Sequence, residues 1–130
     1  MLPQRHRLRH RSDVLRVRRL GKAWRHPLAV LLVVRAEPGI RTSGAVDLIT
    51  EAPTRFAFTA SRRVGSAVAR NRGKRLLREA VRGHLELIEP GWDCLFIVRE
   101  ATPTADFAAV QTAVSNLLRR AHLAAEPKPG

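Results

Sequence analysis

Ser61-Arg-Arg-Val-Gly-Ser-Ala-Val-Ala-Arg-Asn-Arg-Gly-Lys-Arg-Leu-Leu-Arg-Glu-Ala-Val-Arg82 is the stretch around which the 130-residue chain organises itself. Gly65-Ser66 breaks an extended pattern, and the spacing after it predicts a helix from Ala67 to about Leu87. At about 100° per residue, Arg70, Asn71, Arg72, Lys74, Arg75, Arg78, Glu79 and Arg82 fall in one arc of roughly 200°. Ala69, Gly73, Leu76, Leu77, Ala80, His84 and Ile88 fill most of the other side, with Val81 and Leu85 near the seam. One face is built to pack on a sheet and the other is a cationic rail. Arg70, Lys74 and Arg78, spaced i, i+4 and i+8, repel one another in the absence of a polyanion. A merely solvated face would mix signs, whereas here six cations face the single acid Glu79. Arg62 and Arg63 precede the helix N-terminus, where free backbone N–H groups favour phosphate.

Upstream of this segment, Phe56 and Phe58 alternate with Ala57 and Thr59 and predict a strand. The run Leu28-Ala-Val-Leu-Leu-Val-Val34 predicts a buried strand. Pro38, Gly39, Ser43, Gly44 and Pro53 make 36–54 a loop, with room for a short edge strand over Ala45–Thr50. Ser12 is placed to cap a short helix from Asp13 to about Leu20, whose inner face is Val14, Val17 and Leu20 and which Gly21 ends. Downstream, Pro90-Gly91 is a turn and Trp92–Val98 another strand. Thr104 is placed to cap a last helix with the apolar face Phe107, Val110, Val114, Leu117, Leu118 and Ala121. The order is α-β-β-(β)-α-β-α, a two-layer α+β domain over 1–125 with a frayed tail at 126–130.

Composition narrows the function. Twenty-four Lys+Arg against 11 Asp+Glu give a formal net charge of +13, the electrostatic footprint of a nucleic-acid binder. Seventeen of the 24 cations sit in 1–26 and 62–82, each segment holding one acid. The start, Met1-Leu2-Pro3-Gln4-Arg5, has no apolar run of a secretory signal, and Leu28–Val34 is too short to span a membrane. The single cysteine, Cys94, permits no intrachain disulfide and fits a reducing, cytoplasmic setting. Cys94, Trp92 and Phe96 alternate in a strand and are read as core. No paired carboxylates, metal cluster or His/acid constellation is legible. His6 and His10 are two potential ligands in an Arg-rich arm, which is not a site, and His84 is read as packed or capping. No catalytic residue, metal or cofactor is therefore assigned to the protein.

The segment Ser61–Arg82 also closely resembles the signature of the bacterial ribonuclease P protein family. That signature is a basic pair, Val/Ile-Gly, then Arg-Asn-Arg-x-Lys-Arg-x-x-Arg-Glu, and it is matched here without a gap. Arg7-Leu8-Arg9, Ser12-Asp13 and Gly21-Lys22 resemble the family's first helix, and Pro90-Gly91-Trp92-Asp93 its approach to the last strand. The resemblance implies an α-β-β-β-α-β-α sandwich with a left-handed βαβ crossover, of the ribosomal protein S5 domain 2 type. It implies a ribonucleoprotein in which the RNA subunit hydrolyses the phosphodiester with Mg²⁺ and the protein assists removal of the 5′ leader from precursor tRNA. On that footing Arg62, Arg63, Arg70, Asn71, Arg72, Lys74, Arg75, Arg78 and Arg82 would contact the RNA subunit. Val14, Val17, Arg18, Phe56 and Phe58 would line a cleft for the leader. Three departures stand out: the family's two first-helix Phe positions hold Val14 and Arg18, Gly73 replaces a larger helix residue, and the 36–54 connection is longer. A ribosomal protein without a processing role, or a DNA-binding architectural protein, would share the basic composition but not the ungapped signature; the expected partners are the catalytic RNA and precursor tRNA, not DNA or membrane.

Overall fold

In the computed structural model, residues 2–36 and 52–124 are described. Helix α1 (Arg11–Leu20) leads into strand β1 (Lys22–His26), then β2 (Ala29–Arg35) and β3 (Arg55–Thr59); α2 (Ala67–Arg82), β4 (Trp92–Val98) and α3 (Phe107–Arg120) follow. The four strands form one sheet in the order β1-β2-β4-β3. The β1–β2 and β2–β4 pairs are antiparallel, and β3 runs parallel to β4, so β3-α2-β4 is a crossover unit between neighbours.

Strand alternation sends side chains to two unequal faces. Ala29, Leu31, Val33, Phe56, Cys94, Phe96 and Val98 join Leu77, Ala80 and Val81 of α2 and Val110, Val114, Leu117 and Leu118 of α3 in the main core. This is the expected two-layer sandwich. The opposite face carries a smaller cluster, Leu95 with Leu8 and Val17, flanked by Val14, Leu32, Val34, Ala57 and Ile97. There α1 covers part of the sheet and leaves the rest open.

Several local expectations are corrected. Lys22–His26 is a strand not expected from the sequence, and the edge strand expected over Ala45–Thr50 lies outside the described residues, together with most of 36–54 and the tail. β1 hides from periodicity because its residues are charged or polar apart from Ala23 and Trp24; it pairs with β2 through a hairpin whose Leu28 N–H donates to His26 Nδ1. His10, not Ser12, precedes α1, and Ser12 lies in its first turn. α2 ends at Arg82 rather than Leu87, and a separate 3₁₀ turn spans Leu85–Leu87. His84 caps as expected, with Nδ1 2.8 Å from the Ala80 carbonyl oxygen. Thr104 belongs to a 3₁₀ turn, and Asp106 holds the N-cap position of α3. Phe107, expected on α3's inner face, is 40% exposed.

Two glycines matter to the site. Gly65 has φ 133° and ψ −149°, a backbone essentially reserved for glycine, and it aims the chain from β3 into α2. Gly73 lies where α2 crosses β4: a Cβ there would stand 2.5 Å from Val98 Cγ1. Its absence lets helix and strand approach closely.

A candidate RNA interface

α2 is started by Ser66, whose side chain accepts the Ala69 N–H at 3.2 Å. Its buried face is Gly73, Leu77, Ala80 and Val81, which turns the predicted rail to solvent. Asn71, Arg72, Arg75 and Arg82 are exposed; Arg70, Lys74 and Arg78 are half-buried. Arg62 and Arg63, exposed, form the 3₁₀ turn just ahead of the helix. All nine predicted RNA-contacting residues thus lie on α2 or at its N-terminal approach. From Arg70 to Arg82 the rail runs about 18 Å.

The rail is not uniform. Arg72 Nε donates to the Pro103 carbonyl at 2.7 Å, tying α2 to the turn before α3. Arg82 pairs with Glu79 at 3.0 Å, an i, i+3 surface contact worth little in water. Arg78 lies over the Phe58 ring at 5.5 Å, and Phe58 in turn stacks on Phe96 with centroids 5.8 Å apart. The Nε of Arg70 is buried without a hydrogen-bond partner among the described residues. A buried, unpaired donor on a cationic face is costly until an acceptor arrives.

Beside the rail, a groove of about 350 Å³ follows the outer edge of β3. Arg78 stands on one rim; Val14, Leu8 and Arg9 stand on the other, and Ala57, Phe58 and Thr59 lie between. Residues 2–9 build much of this wall, a role for which the sequence offers little sign. Leu2 is buried in the main core, while Leu8 is buried in the cluster on the opposite face. The arm therefore wraps over the edge of β3, and Leu8 N–H donates to the Phe56 carbonyl at 2.9 Å. Arg7 Nε closes the arm on itself through the Leu2 carbonyl, and His6 Nδ1 lies 2.9 Å from the Thr54 carbonyl oxygen.

The five residues expected to line a leader cleft divide. Val14, Phe56 and Phe58 line the groove, and Arg18 stands at its end with Nη2 3.5 Å from Thr59 Oγ1. Phe56, 2% exposed, forms part of the groove's closed floor, whereas Val17, fully buried beneath α1, supports the site from beneath.

A polar cluster fastens α1 to the sheet. Asp93, in β4, is fully buried. It accepts two hydrogen bonds from Arg55 of β3, both at 3.0 Å, and one from Arg16 of α1. Arg16 also donates to the Arg35 carbonyl at 3.1 Å, and Asp13 lies 3.7 Å from Arg55. Burial alone would lower the Arg55 pKa; hydrogen bonding to Asp93 and the charges of Asp93 and Asp13 outweigh it and raise the value. One sequence signal did point here: an acid inside the apolar run Trp92–Val98 must find a cation if it is buried.

Among the described residues no three His, Cys, Asp or Glu side chains come together as a metal site, and no described helix is long and apolar enough to cross a membrane. Burial pushes the Cys94 thiol well above its ordinary range, which suits a core position.

Comparison with known proteins converges on one family. A family model described as Ribonuclease P matches residues 2–122. A ribonuclease P protein component from Herpetosiphon aurantiacus is 41% identical over 117 residues, covering 90% of this chain and 85% of its own. One from Roseiflexus castenholzii is 38% identical over 117 residues, covering 89% and 85%. Among solved structures, an RNase P protein from Thermotoga maritima superposes with a TM-score of 0.69 at 28% identity, covering 88% of this chain and 96% of that one. An RNase P protein from Staphylococcus aureus gives 0.73 at 20% identity, covering 92% and 98%, a likeness of fold.

Proposed function

The chain belongs to the ribonuclease P protein family, and from that premise we propose that it binds the catalytic RNA through α2 and the 5′ leader of precursor tRNA along the β3 groove, assisting removal of the leader. The observation that carries this reading is the juxtaposition at Arg78. That side chain lies on the rail and on the rim of the groove, so one residue borders both candidate RNA surfaces.

The chemistry asked of the protein is electrostatic. The rail and the Arg62–Arg63 approach pair with phosphates and release counterions, which supplies affinity with little sequence preference. The groove, about 350 Å³, is partly apolar and rimmed by Arg9 and Arg78, which suits an extended single strand better than a duplex. Neither first-helix position offers an aromatic: Val14 gives an apolar wall and Arg18 a guanidinium at the groove's end. Holding leader phosphates beside a second RNA offsets repulsion that divalent ions would otherwise screen. Mg²⁺ belongs to the RNA partner in this reading, and phosphodiester hydrolysis with it.

Reconstitution with the cognate RNA subunit tests the proposal. The protein should raise cleavage of precursor tRNA most when Mg²⁺ is scarce, and more for a leader of several nucleotides than for one nucleotide. Cleavage by RNA-free protein would overturn the division of labour. A benefit independent of leader length would remove the groove from the mechanism.

A further inference from the structure

The Arg16–Asp93–Arg55–Asp13 cluster lies away from both RNA surfaces and contains three largely or fully buried charged side chains. Asp93 is 0% exposed, Arg16 11% and Arg55 18%. Such clusters are weak evidence for stability, since desolvation consumes most of the attraction; what they supply is a defined geometry. The helix they hold needs one. α1 has 10 residues, about three turns, and Val17 is its one fully buried side chain. A pair of valines facing a sheet tolerates rolling of the helix about its axis.

The order of residues around α1 makes the cluster's effect directional. At about 100° per residue, Arg16 and Asp13 fall on one side of Val17, and Val14 and Arg18 fall on the other. The first side is bonded to Asp93, to the Arg35 carbonyl and to Arg55. The second side forms the groove wall and reaches Thr59. Val17 is the pivot between them. The pairing is also crosswise: α1 brings one acid and one base, and the sheet brings one of each, so a roll that lifts this side of α1 from the sheet separates both pairs.

We propose that this cluster is a latch fixing the roll of α1 and hence the width of the β3 groove, with Arg16 as its positioning residue on the helix. The inference rests on the reading of the groove as the leader site. Arg16 touches no RNA in this scheme. It acts through Val14 and Arg18, so its loss should affect substrates in proportion to how much leader they lay in the groove.

The test uses Arg16→Met, which keeps an apolar stem while Asp93 retains its two bonds from Arg55. In the reconstituted holoenzyme, kcat/KM for a precursor with a leader of several nucleotides should fall about tenfold. A one-nucleotide leader and the affinity for the RNA subunit should change less than about twofold. Arg16→Lys, which can still reach Asp93, should recover part of the loss. Spin labels at Leu15→Cys on α1 and Thr104→Cys on the far layer report the geometry directly, with buried Cys94 out of reach of the label. The wild-type distance should be narrow, and it should broaden or shift in Arg16→Met. An unchanged distance, or equal losses on long and short leaders, would overturn the latch. A wild-type holoenzyme indifferent to leader length would instead sink the leader reading, while the spin-label distance would still decide whether Arg16 fixes α1.

Discussion

Replacing Gly73 by Ala should destabilise the protein, although helix propensity alone says the reverse. In an exposed helix interior the change would contribute up to about 1 kcal/mol in favour of the folded state. Here the new Cβ would stand 2.5 Å from Val98 Cγ1. Ordinary carbon contacts are about 3.5–4.0 Å, so the overlap is on the order of 1 Å. Val98 cannot swing aside, being β-branched, 3% exposed and held in β4 between β2 and β3. Overpacking of this kind costs about 1–3 kcal/mol, and the net expectation is a loss of about 1–2 kcal/mol. Urea denaturation should show it as a lower midpoint at unchanged m, with a melting temperature lower by about 4 °C per kcal/mol. In a Val98→Ala background the obstruction is gone and Gly73→Ala should become stabilising. A stabilising effect of Gly73→Ala in the wild-type background would refute the close-approach argument.

Ala substitutions at the exposed Arg75 and the half-buried Arg70 and Lys74 should weaken RNA-subunit binding while circular dichroism and melting stay near wild type, because cations in a mutually repelling row add little to folding and much to phosphate contact; unfolding of these variants would make the rail structural. Arg72→Ala should differ, losing RNA affinity and also about 1 kcal/mol of stability with its bond to the Pro103 carbonyl. If about four to eight phosphates are neutralised, log K against log salt should fall with a slope of about −3 to −7, and a slope near zero would refute the charge argument. His26 is partly desolvated and lies near Arg120, and both lower its pKa. The unfolded chain therefore takes up this proton first as pH falls below about 6.5, so that contribution to stability is present at higher pH and lost on acidification. A His26→Gln variant should lose less stability over the same interval, and an identical pH profile for the two proteins would show that His26 does not contribute.

What could be read in the sequence was whatever obeys a period. The α2 rail and its buried face follow from spacing at 3.6 residues, and the burial of Leu77, Ala80 and Gly73 matches it. Trp92–Val98 and Leu28–Val34 are central or near-central strands, so their apolar runs stand out. β1 escaped because it lies at the sheet's border, where Lys22 and Arg25 are exposed and Trp24 alone packs inward on the core. The groove escaped for another reason: its walls come from residues 7–9, 14, 57–59 and 78, far apart in sequence and joined by tertiary packing alone. Arg16 and Arg55 looked like two more members of a basic surplus, and nothing local distinguishes a cation that holds Asp93 from one that waits for phosphate. Gly73 was visible as an oddity, but its reason lay at Val98, 25 positions away.

The wrapping of residues 2–8 around β3 bears on how the chain is made. Leu2 leaves the ribosome before the rest of the core cluster that it joins, whose members run from Ala29 to Leu123. The arm therefore completes the fold by a contact of high sequence separation, which is slow to form. Until it docks, the outer border of β3 is an uncovered template for pairing with other nascent chains. A segment rich in arginine is well suited to that delay, since it stays soluble while it waits and then seals the border with one leucine on each side.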